Sequence, residues 1–455
     1  MAHETATLAG YVAALTYDDI PPEVLDRAKV LTLDFLGSAI RARREAESTP
    51  SVLKMLAALK LDAAGESTVF GDIRTWTPAV AALLNGTMGH SLDFDDTHAD
   101  SSLHPSAPVV PAAFAVGEMV GASGREVLTA IVAGYEVCCR LGNALDPTSH
   151  YARGFHPTAT AGTYGAAAAA AKLFGLSQIE IEYAFGVSGS QAAGSLQFLV
   201  NGAWNKRYQV GASAMNGVIA ATLAKNDFVG AIESVEGKHG LLVGYSDMPH
   251  PDKAVAGLGS TYETMKIGVK PYPSCRYTHA AIDALIAMRR EHNLTPDQIT
   301  RVEIGLHRNG ITLTGDAATK RHPSSIVGGQ FSMFFTGAIA LDQGHFGWDD
   351  YGRLGDVAIN ALADKFDVVQ DARLEGRAHP FGARVAITTE HGVHERLHDD
   401  PSGEPSSFPT SQAMSEKFLT LARPVLNGRA QTFADAILSL ERFDHIAQAT
   451  ALGRE

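Results

Sequence analysis

Cysteine is scarce in this chain. There are three in 455 residues, two adjacent at Cys138 and Cys139 and the third at Cys275. Three cysteines do not make a disulfide framework, and the adjacent pair lies in an apolar helical run, where a free thiol behaves as core filler. Long apolar runs are missing too. No uncharged stretch of about 18 residues reads as membrane-spanning, and the Ala-rich segment 165–171 is ended by Lys172. The opening MAHETATLAG has neither a basic nor an apolar leader region, so no signal peptide is expected, and a reducing cytoplasm is the expected compartment. Positive charge is in deficit: Lys+Arg number 37 against 50 Asp+Glu, a formal charge of −13. No basic footprint for nucleic acid is visible, although one locally positive pocket still suits a small anion. Glycine loops that cradle phosphate are absent as well: neither G-x-G-x-x-G after a strand nor G-x-x-x-x-G-K-[ST] occurs. That argues against nicotinamide and nucleotide chemistry, and no cofactor is expected.

What remains is a chain with 45% hydrophobic and 19% charged residues, enough to bury a large core. The first 250 residues read as successive helices. Pro21 and Pro22 open one, in which Val24, Ala28, Leu31 and Phe35 fall on one face. Segments 78–90, 106–121, 125–145, 156–174 and 178–194 continue the pattern, with small residues that let helix axes approach closely. Near residue 267 the texture changes. ITRVEIGLH (299–307) and ARVAITTEHGVHERLH (383–398) alternate as strands, the second with a hairpin turn at His391-Gly392. Helical stretches 278–290, 328–341 and 353–365 lie among them. DDPSGEPSSFPTS (399–411) reads as a Pro/Ser-rich linker, and helices return after it. The expected fold class is mainly α with an α+β part: a large all-helical domain over 1–266 and 403–455, and a smaller α+β lid over 267–402.

The most informative stretch is Gly89 to Ser106, GHSLDFDDTHADSSLHPS. Its eighteen residues hold three histidines, four aspartates, a threonine and four serines. Proton-active groups this dense, set between apolar helical segments, point to the wall of a site. His104-Pro105 and His156-Pro157 share a design: proline favours the first position of a helix, so each histidine sits where free N–H groups favour an anion. Lys206-Arg207 is an isolated basic pair after SLQFLV. KPYPSCRYTH (270–279) brings Lys270, Cys275, Arg276 and His279 to the expected domain junction, where pockets form. Together they suit cofactor-free proton chemistry, in which a base acts α to a carboxylate and cations hold the carboxylates.

Other readings stay open. Asp93, Asp95, Asp96, His98 and His104 offer oxygen and nitrogen donors to a metal, as in a metal-dependent hydrolase or lyase, but match no established helical ligand spacing, so no metal is expected. DDTHAD is similar to the aspartate-rich motif of all-helical terpenoid synthases. Their second magnesium motif has one candidate here, NDFVGAIE (226–233), which lacks its central serine. A non-catalytic carboxylate-binding protein is a further alternative. Cys275 lacks a Cys-His-Asn signature and reads as structural or as a polar contact.

The motifs, in order, resemble the MmgE/PrpD family. They are NGTMGHSLDFDDTH with LHPSAPVVPAAFAVGE, then GFHPTATAGTYGAAAAAAKL, NKRYQVGASAMNG, KPYPSCRYTHAAIDAL and FSMFFTGAIALDQG, across residues 85–344. The family includes 2-methylcitrate dehydratase, cis-aconitate decarboxylase and iminodisuccinate epimerase. The resemblance implies a helical domain built from both termini, an α+β lid, a homodimer, and a small di- or tricarboxylate substrate without an organic cofactor. It places the pocket at Asp93, Thr97, His104, His156, Lys206 and Lys270, with the Cys275–His279 strip on the lid side. One departure stands out: where many members have Lys-Arg-x-His, this chain has Lys206-Arg207-Tyr208-Gln209, a neutral amide for a titratable ring.

The resulting expectation is a cytoplasmic lyase or isomerase of small polycarboxylates. Asp93, His104, His156 and Lys206 are the expected catalytic set. His104 would be the acid/base, oriented by Asp93 or its neighbours. Thr97, Arg207, Lys270, Cys275, Arg276 and His279 are the expected substrate-binding set. Loss of a β-hydroxyl gives dehydration, loss of CO2 decarboxylation, and reprotonation epimerisation. Dehydration is the first reading, with decarboxylation or epimerisation as the alternative.

Overall fold

The computed structural model describes residues 3–376 and 380–455. It is mainly α-helical, with one small mixed sheet late in the chain. The chain divides into two compact units: residues 1–269 with 410–455, and residues 270–409.

The first unit is helical. Proline starts the helix Pro22–Glu45, and Val24, Ala28, Leu31 and Phe35 are buried along it, as their spacing predicts. The helices Pro78–Gly89, Ser106–Val120, Gly124–Ala144, Pro157–Leu173 and Gln178–Gln191 fall where the apolar periodicity places them. Ser123 and Glu126 form a capping box at the start of Gly124–Ala144, which satisfies N–H groups that would otherwise be orphaned. Small residues set the crossing of that helix with Pro157–Leu173. A Cβ on Gly165 would lie 2.7 Å from Cys138 Cβ and 2.9 Å from the Gly134 carbonyl. The six alanines 166–171 beside it are fully buried, as are Cys138 and Cys139. Helix Asn205–Lys225 packs extensively on Pro157–Leu173 and on Pro78–Gly89. The C-terminal helix Ser411–Leu426 packs on Pro22–Glu45, so both ends of the chain build one core.

The second unit contains a four-stranded sheet in the order Phe366–Gln370, Ile299–Leu306, Ala383–Thr389, Gly392–His398. The first pair is parallel, with Val302 opposite Phe366; the other two are antiparallel, with Ile304 opposite Val385 and Val385 opposite Arg396. Val302, Ile304, Val385 and Ile387 are fully buried on the covered face, and the helix His279–Glu291 packs against that hairpin.

Three local expectations change in this unit. The stretch 328–341 is two helices, Ile326–Gln330 and Met333–Gln343, because the Ser332 hydroxyl accepts the Phe335 N–H at 2.9 Å and caps the second. In 353–365 only Val357–Ala363 is α-helical; Asp356 caps it by accepting the Ala358 N–H at 2.8 Å. The parallel strand Phe366–Gln370 had no sequence signal of its own, since its neighbours supply the pairing. The Pro/Ser-rich stretch after 399 is not a loose tether. Ser402 donates through its N–H and its hydroxyl to Asp283, both at 2.8 Å, and Arg276 holds Glu404.

Candidate active site

The stretch between the helices Pro78–Gly89 and Ser106–Val120 is nearly all buried, although it is polar. Buried polar groups need partners, and here the partners define the site. Asp93 adopts a left-handed backbone, φ 54°, a strained choice for a residue with a Cβ and one that clusters at functional sites. Its carboxylate accepts from Lys206 Nζ at 2.7 Å. Lys206 stands in the first turn of Asn205–Lys225. Burial works against its charge, but Asp93 and Asp95 outweigh that and hold the ammonium above the ordinary lysine value.

Asp96 turns the other way. Its carboxylate accepts the Ser106 hydroxyl at 2.6 Å and Ser106 N–H at 3.3 Å, at the start of the next helix. Burial pushes this carboxyl well above the usual range despite those bonds. His98 donates from Nε2 to Glu263 at 3.0 Å, and its Nδ1 accepts the Ser101 N–H at 3.3 Å. The two-residue strand Thr97–His98 pairs antiparallel with Ile267–Gly268. Behind the loop, Lys417 of the C-terminal helix donates to the Phe94 carbonyl at 2.8 Å, pairs with buried Asp34, and lies 3.8 Å from the Phe94 ring centre. Burial raises the Asp34 carboxyl to about 6 even against Lys417.

Three imidazoles gather beside this scaffold. His104 precedes the Ser106 helix and donates from Nδ1 to the Asp96 carbonyl at 2.6 Å, with Thr97 Oγ1 at 3.5 Å. A neutral His104 therefore presents its lone pair at Nε2. His156 occupies the N-cap position of Pro157–Leu173, as the His-Pro pattern predicts, without a side-chain capping bond; at the other His-Pro pair Pro105 is itself the N-cap, so His104 stands one residue before it. Gln209 Nε2 donates to His156 Nδ1 at 2.8 Å, which leaves the neutral ring its proton on Nε2. Burial holds His156 well below the ordinary histidine value, and His90, Lys206 and His104 add to the effect. The third ring, His90, was not among the expected site residues. Its centre lies 4.9 Å from that of His104 and 5.9 Å from that of His156. It donates from Nδ1 to Asp95 Oδ2 at 2.6 Å.

Asp93 and Lys206 thus meet, and Thr97 meets His104. Arg207, the neighbour of Lys206, is buried rather than solvated at the surface, and burial lowers its pKa against the opposing pull of Glu47 and Asp93. The remaining expected residues belong to the second unit. Lys270 and Cys275 are buried there, and the Cys275 N–H donates to the Gln330 carbonyl at 2.9 Å. Arg276 pairs with Glu404 and donates to His279 Nδ1 at 3.2 Å, and His279 Nε2 donates to the Ser274 carbonyl at 3.1 Å.

The five residues expected as alternative metal ligands do not converge. Asp93, Asp96 and His98 are engaged with Lys206, Ser106 and Glu263. Donor atoms of His90, Asp95 and His104 do lie within 4.8 Å of one another. In the structure both Nδ1 atoms are hydrogen-bond donors, to Asp95 and to the Asp96 carbonyl, so these groups stand as a hydrogen-bonded cluster. His90 and Asp95 were legible as members of the His/Asp run; nothing in one dimension ranked them above Asp93 or Asp96.

A helical body carrying buried imidazoles, carboxylates and a lysine, in one chain with an α+β unit, fits the class of lyase-type enzymes. Residues 6–254 match the MmgE/PrpD N-terminal domain and residues 272–442 the MmgE/PrpD C-terminal domain. The chain belongs to the MmgE/PrpD family and is a lyase-type enzyme. It is 29% identical to a cis-aconitate decarboxylase-like protein, oryM, of Aspergillus oryzae, over 98% of this chain and 96% of that one. It is 27% identical to cis-aconitate decarboxylase of Aspergillus terreus over 97% and 94%. With human cis-aconitate decarboxylase it shares 30% over 66% and 63%. No helix among the described residues is long and apolar enough to cross a membrane.

Proposed function

We propose that this protein decarboxylates a cis-aconitate-like unsaturated tricarboxylate. The observation that carries the reading is its similarity, over nearly the whole chain, to cis-aconitate decarboxylases. Dehydration, the first reading of the sequence, ranks behind, because the relatives are named for the loss of CO2.

The chemistry asked of the site is simple to balance. The C–C bond to the departing carboxylate breaks, its electron pair stays on carbon, and CO2 leaves. A proton then joins that carbon, so each turnover consumes one proton. His104 is assigned as the donor. Its Nδ1 is fixed by the Asp96 carbonyl, so the imidazolium delivers from Nε2 and returns to the neutral ring. His156, neutral with its proton on Nε2, donates a hydrogen bond to a substrate carboxylate. Lys206 supplies a cation and Asp93 keeps it in place. Lys270 and Arg207 are proposed as further carboxylate-binding residues, and Thr97, Cys275, Arg276 and His279 as lesser contributors. The enzyme is inferred to work as a homodimer without metal.

The test is turnover of cis-aconitate beside citrate, 2-methylcitrate, malate analogues and iminodisuccinate. CO2 release from cis-aconitate, undiminished by a chelator, is expected. Faster dehydration of a hydroxy acid, or epimerisation of iminodisuccinate, would replace this reading. Near-stoichiometric metal, with activity lost to a chelator and restored by the metal, would end the metal-free mechanism. Sedimentation at equilibrium decides the dimer.

A further inference from the structure

His90 is the imidazole that neither the spacing nor the carboxylate-binding scheme uses. It is 1% exposed. Nδ1 donates to Asp95, while Nε2 is buried and without a hydrogen-bond partner. Being sealed from solvent, Nε2 is not placed to touch substrate. Charging the ring would add an N–H there with nothing to accept it, a burial that costs about 1–3 kcal/mol or more. His90 is thus built to stay neutral, and burial does hold its pKa below the ordinary histidine value against the pull of Asp95. A neutral His90 gives Asp95 a hydrogen bond but no compensating charge. Asp95 Oδ2 also lies 3.9 Å from His104 Nδ1, closer to an ion pair than to a hydrogen bond. Asp93, the orienting carboxylate first expected for His104, is occupied by Lys206.

We propose that Asp95, clamped by a neutral His90, is the counter-ion that stabilises the His104 imidazolium, so that His90 and Asp95 are positioning residues acting through His104. This rests on the decarboxylase reading in one respect only, that His104 is the proton donor. Within the helical unit the other charged or titratable groups facing the pair are Lys206, Asp93, His156, Asp96 and Asp34. Asp93 and Asp34 are paired with lysines and Asp96 is bonded to Ser106, while Asp95 Oδ2 lies within ion-pair reach of the His104 ring.

The test compares Asp95→Asn, His90→Gln and His90→Leu. Steady-state rates with cis-aconitate are measured across pH, and the histidine ¹⁵N shifts of His104 are titrated without substrate. Asp95→Asn should lower kcat by roughly 10²-fold, the scale of a general acid's contribution, with little change in KM. It should also move the His104 titration to lower pH. Glutamine at position 90 still offers an N–H to Asp95, so His90→Gln should keep most of the rate that His90→Leu loses. An unmoved His104 titration in Asp95→Asn, or equal rates in the two His90 variants, would overturn the proposal. If Asp95→Asn does not fold, the two His90 variants and their ¹⁵N titrations decide it. If wild type turns over no carboxylate, the decarboxylase reading fails while the ¹⁵N titration still decides the counter-ion.

Discussion

The buried polar cluster of the helical unit and the sheet of the α+β unit handle charge differently. In the helical unit the charged groups of the site are buried, each with a particular partner: Asp93 with Lys206, Asp95 with His90, Asp34 with Lys417. In the α+β unit charged groups form a ladder on the outer face of the sheet, exposed at Arg301, Asp367, Arg373 and Glu395 and largely covered at Arg384 and Asp371. Arg301 bridges Glu303 and Asp367, Arg384 bridges Glu303 and Asp371, and Arg373 joins Asp371 and Glu395. Buried charges depend on their partners, because an orphaned charge away from water is strongly destabilising. Exposed pairs exchange one solvated arrangement for another and contribute little. The same residue types therefore depend on one partner where they are buried and exchange readily with water where they are exposed.

The comparison can be broken most sharply at His104. His104→Ala should cut turnover by about 10²–10⁴-fold, the range for a general acid or base, with circular dichroism and melting close to wild type. Near-normal turnover would remove His104 from the mechanism. The next largest effect concerns the scaffold. Gly165→Val places methyls against Cys138 and the Gly134 carbonyl, and should destabilise the helical unit by about 3 kcal/mol, the upper end for overpacking. Urea unfolding measures it; an unchanged midpoint would show that this helix crossing yields.

A smaller effect separates the units by pH. The folded pKa of His156 is depressed by burial, so below about 6.5 the unfolded chain binds the proton more readily. The stability this ring contributes is complete above that value and is lost as pH falls toward the folded pKa. His156→Gln should therefore lose less stability than wild type between pH 7 and pH 5. The raised carboxyls Asp34 and Asp96 act with the opposite sign, but both proteins carry them and they cancel in the difference. Parallel stability curves would refute the assignment. The smallest effect is expected on the ladder. Arg301→Ala should leave the thermal midpoint where it is, and a clear drop would show that the exposed network acts cooperatively.

Much of this was legible in one dimension. The helices 78–90, 106–121 and 156–174 are visible because apolar spacing and an N-terminal proline are local signals. Hairpin 383–398 is visible because alternation is local as well, though its turn is Glu390-His391, one position before the expected His-Gly, with Gly392 paired opposite Thr389. The strand Phe366–Gln370 is not, since a parallel partner is chosen by residues some sixty positions away. Nor is the split at Ser332, where one hydroxyl decides the boundary. The site shows the same limit. Its membership in the His/Asp run was plain, but the assignment of partners was not.

By itself the sequence determined the fold class, the family and the kind of chemistry, because apolar period, capping residues and motif order are written locally along the chain. Only the tertiary structure decided which carboxylate serves which base. Asp93, Asp95 and Asp96 lie within four positions of one another, yet one holds Lys206, one His90 and one the Ser106 hydroxyl. A left-handed turn at Asp93 and helices arriving from distant parts of the chain fix those directions, and a hydrogen bond depends on distance and angle that no spacing along the chain records.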